Sequence, residues 1–542
     1  MPSQAGIGLK PRDYTIEEYT TTVCPHCFAE RGRRSDEPDV FKDGLLVSHD
    51  GSIWLRRFCA THGETESLYE EDAEVWRSRF GWSTPTLGIT PDRANNYAAF
   101  PHGYRNGLPA SHGQHTCILL LNITDRCNYG CTTCYAAAKA PGTPLSLHDQ
   151  PTIEEILHTV QTVIARENGK LGVLMLSGGE PTVRDDLTEV IEQLLELPIT
   201  RIMLNTNGRR IARDDRFLEF LHDHRHQIEV YLQFDGFRPA TYLALRDEDV
   251  AAEKQLALQR LNDAGIFTTL VATVAQGVNE DEVGDIVQLG LATPRCAGLA
   301  IQPMFGSGRA PSFDARSRVT PTGILRRLGA QTGEQVSWRD FIPLPCSHKD
   351  CCDISYLIRT ADDTWKSLPQ LIGKAELKRW IHLVSNTISF DTVSAPVAEM
   401  LKSGAIQRVF SEQLKVGTPT LMGDISLMCD CVSGLPELLG GIWSTVNKVK
   451  AARSQYGNQN GLSKPNDALE KAAERTFRIT VKMFMDAHTF HESRLRQCCV
   501  HTGTFEADPR RYSFCWRWLF ADALDKPEST IIPLEAVKVH TS

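Results

Sequence analysis

Three cysteines, Cys127, Cys131 and Cys134, stand at the spacing C-x3-C-x2-C in Cys127-Asn-Tyr-Gly-Cys131-Thr-Thr-Cys134-Tyr135. Thiolates spaced this way can take three corners of a [4Fe–4S] cube and leave the fourth iron without a protein ligand. An open metal position is what a substrate-binding centre requires, as catalytic zinc sites illustrate. The bland alternatives are three unrelated core cysteines or half of a zinc site. Zinc usually pairs two C-x2-C units, and no second unit follows at finger spacing.

The other cysteines also bunch. The chain has 16, and beyond the triplet they fall into Cys24, Cys27 and Cys59; Cys346, Cys351 and Cys352; Cys429 and Cys431; and Cys498, Cys499 and Cys515. Only Cys117 and Cys296 stand alone. Bunching at short spacings is what ligands give, whereas core cysteines scatter. No basic segment followed by an apolar stretch marks a signal peptide, and no run approaches the roughly 18 apolar residues of a membrane span. A cytoplasmic, metal-binding protein is therefore expected rather than a disulfide framework.

The elements that must position these residues follow from periodicity. From residue 117 the pattern alternates strand and helix. Predicted strands are Cys117–Ile123, Leu171–Leu176, Arg201–Asn205, Glu229–Phe234, Thr268–Val274 and Gly298–Pro303. Predicted helices are Ile153–Arg166, Asp186–Leu197, Arg213–His224, Ala252–Ala264 and Glu280–Leu289, with Asp185 as an N-cap and Gly265 as a C-terminal stop. Such alternation implies parallel strands with right-handed crossovers. Six strands and five helices predict an α/β fold with an open, partial (β/α)6 barrel, and the triplet sits at the carboxyl end of its first strand, where such folds place ligands.

The flanks read differently. In residues 1–100, Cys24-Pro-His-Cys27 precedes a predicted hairpin, Leu45–Ser48 and Ile53–Phe58 around His49-Asp50-Gly51-Ser52, and Cys59 follows it. This resembles a zinc ribbon or rubredoxin knuckle. Residues 115–305 form the barrel. Gly306–Gln335 reads as a linker or mobile loop. Residues 336–542 read as mainly helical, with helices around Ala375–Leu383, Ala395–Leu414 and Ala468–Ala487. A length of 542 residues exceeds one core, so several domains are expected. A net charge of −9 lacks the basic face that nucleic acid would require.

The triplet after the first strand, Ser177-Gly178-Gly179-Glu180-Pro181-Thr182 after the second and Asn205-Thr-Asn207-Gly208 after the third together resemble the radical S-adenosylmethionine (SAM) superfamily. The resemblance implies that the open iron chelates the methionine end of SAM, that the reduced cluster splits the sulfonium, and that the resulting 5′-deoxyadenosyl radical abstracts a substrate hydrogen. Gly178 and Gly179 would let the backbone approach the methionine, and Glu180 would accept from its ammonium. Asn205 and Asn207 would contact ribose or carboxylate. Gln233 and Asp235 match a polar position of the family, and Ile301-Gln-Pro on the sixth strand would line the adenine pocket, the alternative being a plain barrel core strand.

The flanks are similar to those of archaeal tetraether lipid synthases and their pterin methyltransferase-like relatives. The shared segments are Cys24-Pro-His-Cys27, Cys59-Ala-Thr-His62-Gly63, His115-Thr-Cys117, Pro343-Leu-Pro-Cys346-Ser-His348, Met485-Asp-Ala, Arg496-Gln-Cys498-Cys499-Val-His501 and Phe514-Cys515. The likeness implies mononuclear iron or zinc on Cys24, Cys27 and Cys59, with the fourth ligand open and His62 its nearest candidate. It also implies an auxiliary [4Fe–4S] cluster on Cys346, Cys351 or Cys352, Cys498 or Cys499, and Cys515; we take Cys346, Cys351, Cys499 and Cys515. One departure is that residues 100–115 hold no cysteine where archaeal members have a further cluster. Cys429-Asp-Cys431 has no counterpart.

The first expectation for function is hydrogen abstraction from an unactivated carbon of a lipid-like substrate, leading to carbon–carbon bond formation. The second is radical methylation of a pterin-like ring or another small molecule. The third, of a different class, is a non-catalytic zinc-binding interaction protein. Expected partners are SAM, the substrate and, by family analogy, a low-potential flavodoxin or ferredoxin.

Overall fold

The computed structural model describes residues 13–31, 38–82, 89–93, 96–144, 146, 149–310, 314–360, 362–375, 377–378 and 474–524. The N-terminal module is a four-stranded antiparallel sheet in sequential order, β1 (Thr15–Val23), β2 (Phe41–His49), β3 (Ser52–Cys59) and β4 (Gly63–Glu70). Helix α1 (Pro25–Arg31) follows β1, and α2 (Ala73–Arg77) follows β4. The β2–β3 hairpin turns at Asp50 and Gly51, both with positive φ (49° and 77°), as the Asp-Gly signal predicts.

The barrel sheet carries the six predicted strands in order: β5 (Ile118–Asn122), β6 (Leu171–Ser177), β7 (Ile199–Thr206), β8 (Ile228–Gln233), β9 (Thr268–Val274) and β10 (Cys296–Pro303). All adjacent pairs among them are parallel. The crossover helices are α3 (Ile153–Arg166), α4 (Leu187–Leu195), α5 (Arg209–Arg213), α6 (Asp215–Asp223), α7 (Pro239–Arg246), α8 (Ala251–Asp263) and α9 (Val283–Ala292). Their apolar faces and one side of the sheet form the main core, in which Leu121, Leu176, Leu204, Leu232 and Ile301 are fully buried. The other side of the sheet faces inward, with Leu120, Met175, Met203, Tyr231, Val271 and Ala300 forming a separate interior cluster.

Local chemistry explains two departures at helix ends. The helix predicted over Arg213–His224 is α6, which starts at Asp215 because Asp214 is extended and its carboxylate caps it through the Phe217 N–H; the short α5 before it is not among the predicted helices. The cap of α4 is Asp186 rather than Asp185, and its carboxylate holds Arg184 at 2.9 and 2.7 Å instead of capping.

The larger departures lie after residue 305. The expected linker contains α10 (Pro321–Gln331), which packs on α9. The region expected to be mainly helical supplies strands: β11 (Ile342–Pro343), β12 (Cys352–Arg359), β13 (Trp365–Ser367), β14 (Thr476–Lys482), β15 (Val500–Gly503) and β16 (Arg511–Ser513). The helix expected over Ala468–Ala487 is corrected by β14, where Phe477, Ile479 and Val481 alternate toward the outer core while Lys482 faces the interior. That period of two overrides the helix-favouring residues before it. β14 pairs in parallel with β10, and β15 pairs in parallel with β5. The six-stranded barrel is thus extended at both edges by C-terminal strands. The helix expected around 395–414 and the Cys429/Cys431 pair lie outside the described residues. Among the described residues no helix is long and apolar enough to cross a membrane.

Candidate active site and metal centres

Cys127, Cys131 and Cys134 line one cavity of about 210 Å³ together with the carboxyl ends of β6 to β10. The loop that carries them is pinned to β6 by backbone hydrogen bonds, Gly179 N to Thr124 O (2.7 Å) and Glu180 N to Arg126 O (2.8 Å). This pinning explains the two glycines. A Cβ on Gly178 would lie 2.2 Å from the Thr124 carbonyl oxygen, and one on Gly179 would lie 2.2 Å from that of Arg126. Gly178 also has a φ of +143°. Their bare faces therefore receive the cysteine loop, rather than serving only a ligand.

The donor set fits a cluster. Cys127 Sγ accepts the Tyr129 N–H and Cys134 Sγ accepts the Ala138 N–H, each at 3.4 Å. Such contacts stabilise sulfur-bound negative charge. Burial, reinforced by Glu180, pushes the Cys127 thiol up to about 12. A thiolate there needs a cation to hold it.

Glu180 lines the cavity, but its carboxylate is engaged by Thr182 N (3.1 Å), Thr182 Oγ1 (2.6 Å), Thr206 Oγ1 (2.6 Å) and Asn207 N (2.7 Å). It braces the ends of β6 and β7 at the cavity wall. Asn205 donates to Ser177 Oγ (2.9 Å) and Asn207 to Asn128 Oδ1 (2.7 Å), and both line the cavity. Gln233 lines it too, its amide oxygen taken by Lys254 Nζ at 2.5 Å.

Two predicted residues stand elsewhere. Asp235 is fully buried behind the cavity, where it grips Arg246 (2.7 and 2.8 Å) and accepts the Thr273 N–H at 2.9 Å. Ile301 packs in the outer core; strand alternation turns its neighbour Gln302 into the cavity instead. Sequence reasoning missed Arg246 and Lys254. Burial works against the Arg246 charge, yet Asp235 pushes its pKa above the usual value, and the guanidinium lines the cavity. Lys254 is fully buried on α8 and also donates to the Asn207 carbonyl; burial pushes its ammonium down to about 7. The Asp-Gly that ends β8 and the arginine eleven residues later formed the available signal.

The N-terminal module closes a second donor set. His62 Nδ1 lies 3.6, 3.4 and 3.6 Å from the sulfurs of Cys24, Cys27 and Cys59, and the Cys27 and Cys59 sulfurs are 3.7 Å apart. Metal–sulfur bonds of about 2.3 Å and metal–nitrogen bonds of about 2.1 Å around a tetrahedron require separations of about 3.8 and 3.6 Å. These four residues fit a single ion, and His62 fills the fourth position left open above. Its other nitrogen meets Glu30 Oε1 at 2.8 Å, an outer contact that fixes the ring.

The third set differs from expectation. Cys346 and Cys499 gather with Cys117, which the sequence left isolated. The Cys346 and Cys499 sulfurs are 3.9 Å apart, and Cys117 Sγ is 3.6 Å from His115 Nε2. Cys351 and Cys515 do not join that trio, but they line an adjoining cavity of about 100 Å³ with Cys117, Cys352, Cys498 and Cys499. The set was illegible because Cys117 directly precedes β5 while its partners come from the loop after β11 and the residue before β15.

The radical SAM superfamily model matches residues 121–290, and the model of the HMPTM N-terminal zinc ribbon domain matches residues 16–71. The chain is a radical SAM enzyme. As such it uses S-adenosylmethionine and a [4Fe–4S] cluster, and its first domain is a zinc ribbon. This radical SAM enzyme is similar to the 7,8-dihydro-6-hydroxymethylpterin dimethyltransferase of Methanocaldococcus jannaschii, 24% identical over 531 residues, covering 96% of this chain and 97% of the relative. It is also similar to a GTP 3′,8-cyclase of Acidothermus cellulolyticus, 34% identical over 175 residues, 31% of this chain and 46% of the cyclase; the match spans about half of that protein's length. Among solved structures, Streptococcus suis SuiB bound to S-adenosylmethionine is 14% identical with a TM-score of 0.33, covering 41% of this chain and 48% of that one. That score marks a distant likeness.

Proposed function

We propose that the enzyme is a radical SAM methyltransferase that acts on a pterin-like heterocycle. The observation that carries this reading is the end-to-end similarity to the M. jannaschii pterin dimethyltransferase, which takes in the zinc ribbon, the barrel and the C-terminal strands. The alternative of carbon–carbon coupling on a lipid has no comparable support. The interaction-protein alternative is set aside because the chain is an enzyme.

In this reading Cys127, Cys131 and Cys134 hold the cluster, which when bound supplies the electron that cleaves the sulfonium. The chain's own part is positioning. Arg246, fixed by Asp235, presents a cation to the methionine carboxylate, while Asn205, Asn207 and Gln233 order the strand ends around the ligand. The aromatic wall of Tyr135, Phe484 and Phe514 excludes water and offers faces on which a flat ring stacks; Phe484 and Phe514 have centroids 4.5 Å apart. Zinc on Cys24, Cys27, Cys59 and His62 holds the ribbon together. An auxiliary iron–sulfur centre draws its ligands from Cys117, Cys346, Cys351, Cys499 and Cys515. A low-potential flavodoxin or ferredoxin serves as electron donor.

The test is anaerobic incubation of reconstituted enzyme with reductant, SAM and 7,8-dihydro-6-hydroxymethylpterin, followed by mass spectrometry. The expected result is a pterin heavier by one or two methyl groups, accompanied by 5′-deoxyadenosine. An unmodified pterin beside a coupled hydrocarbon from a lipid extract would overturn the reading.

A further inference from the structure

The barrel interior holds a cation that the assignments above do not use. Lys482, on β14, lines both the cluster cavity and the adjoining cysteine-lined cavity, as does Tyr231 of β8. Its Nζ donates to Tyr231 Oη at 2.9 Å and lies 5.3 Å from the centre of that ring. The other cationic side chains nearby are committed elsewhere: Arg246 to Asp235 and the methionine end of the cavity, Arg478 to Glu229 at 3.6 Å, and Arg309 to the carbonyls of Cys131 and Ala138. Among the described residues no carboxylate forms an ion pair with Lys482; the groups that act on it electrostatically are Tyr231, Cys352 and Arg478. Burial works against the Lys482 charge, yet Tyr231 and Cys352 hold its pKa above the usual lysine value, so the ammonium stays charged with donors left for a further acceptor.

We infer that the Lys482–Tyr231 pair is the polar end of the substrate site and takes an oxygen acceptor on the edge of a flat heterocycle. The inference rests on the methyltransferase reading and deepens it. Aromatic faces at Tyr135, Phe484 and Phe514 stack the ring; the ammonium and phenol grip a lactam or enolate oxygen at its edge. Together they fix which carbon turns toward the strand ends. A plain hydrocarbon has nothing to offer this pair, and the ammonium would have to be buried against it. Lys482 is a specificity-determining residue in this account, and Tyr231 positions it.

The test measures equilibrium dissociation constants on the anaerobically reconstituted full-length enzyme with SAM present. The probes are 7,8-dihydro-6-hydroxymethylpterin and its 2,4-diamino counterpart, which replaces the ring oxygen by an amino donor. The wild type is expected to bind the oxo compound at least about tenfold more tightly, the range of a charge-assisted hydrogen bond. In Lys482→Met that preference is expected to fall to within about twofold, as a cycle of two changes at one contact requires. Equal binding of both probes to the wild type overturns the inference, and this arm decides alone if the variant fails to hold iron. An undiminished preference in Lys482→Met also overturns it and leaves the lysine to balance the thiolates beside it. If the wild type binds neither probe while forming 5′-deoxyadenosine, the pterin reading itself falls and the inference with it.

Discussion

The Glu180 carboxylate accepts the backbone N–H of Asn207 at 2.7 Å, tying the end of one barrel strand to the end of the next. With Thr182 and Thr206 on the same carboxylate, one buried side chain satisfies four donors. Glu180→Ala leaves these donors buried and unpaired, which costs about 1–3 kcal/mol for each group that cannot find water. The expected outcome is a lower melting temperature together with SAM binding weakened by about tenfold or more, because Asn207 loses its anchor. Glu180→Gln keeps an acceptor and is expected to fall between the two. Thermal melting and SAM titration check this.

The glycines of the same loop give a steric prediction. A methyl group at Gly178 or Gly179 meets a backbone carbonyl at 2.2 Å, a contact no flexible side chain can relieve. Overpacking of this kind costs about 1–3 kcal/mol. Gly179→Ala is expected to push the cysteine loop off β6 and reduce the iron bound on reconstitution, read by iron analysis and visible absorbance.

These two positions illustrate what the sequence made legible. The triplet, the Gly-Gly-Glu and the six strands were readable because each is local: a spacing, a turn or a run of alternating residues. Arg246 and Lys254 were not, since their importance arises when α7 and α8 return them to the ends of β8 and β7. Cys117 and Cys346 meet Cys499 only through pairing across the sheet edges, and the Cys346–Cys499 contact joins residues 153 apart. Strand β14 was hidden for a similar reason: its alternation gains meaning only beside β10.

The ribbon gives a metal prediction. His62 completes the set of Cys24, Cys27 and Cys59, and Glu30 orients it. Glu30→Ala is expected to lower zinc affinity by roughly 10–100-fold, the usual effect of removing such an outer contact. His62→Ala is expected to lose the metal outright during chelator dialysis. Metal analysis reads both, and iron at the barrel triplet serves as the internal control.

His491 gives a pH dependence. It is buried, neither ring nitrogen has a partner among the described residues, and burial holds its pKa well below the usual histidine value. His348, Asp350, Arg494 and Lys349 face it, the carboxylate opposing and the cations reinforcing the shift. Below about pH 6.5 the unfolded chain takes up a proton there that the folded chain refuses. The histidine's contribution is therefore complete above that pH and declines as pH falls, by up to about 1.4 kcal/mol per pH unit. The wild type is expected to melt lower at pH 5.5 than at pH 7.5, and His491→Phe is expected to lose less over the same interval.

The central claim is that Cys127, Cys131 and Cys134 together hold the cluster that cleaves SAM. Anaerobic formation of 5′-deoxyadenosine by Cys131→Ala, measured beside the wild type under the same reductant, tests it most directly. The expected result is product from the wild type and none from the variant, whose zinc content stays unchanged. Product from Cys131→Ala at the wild-type rate would contradict the account.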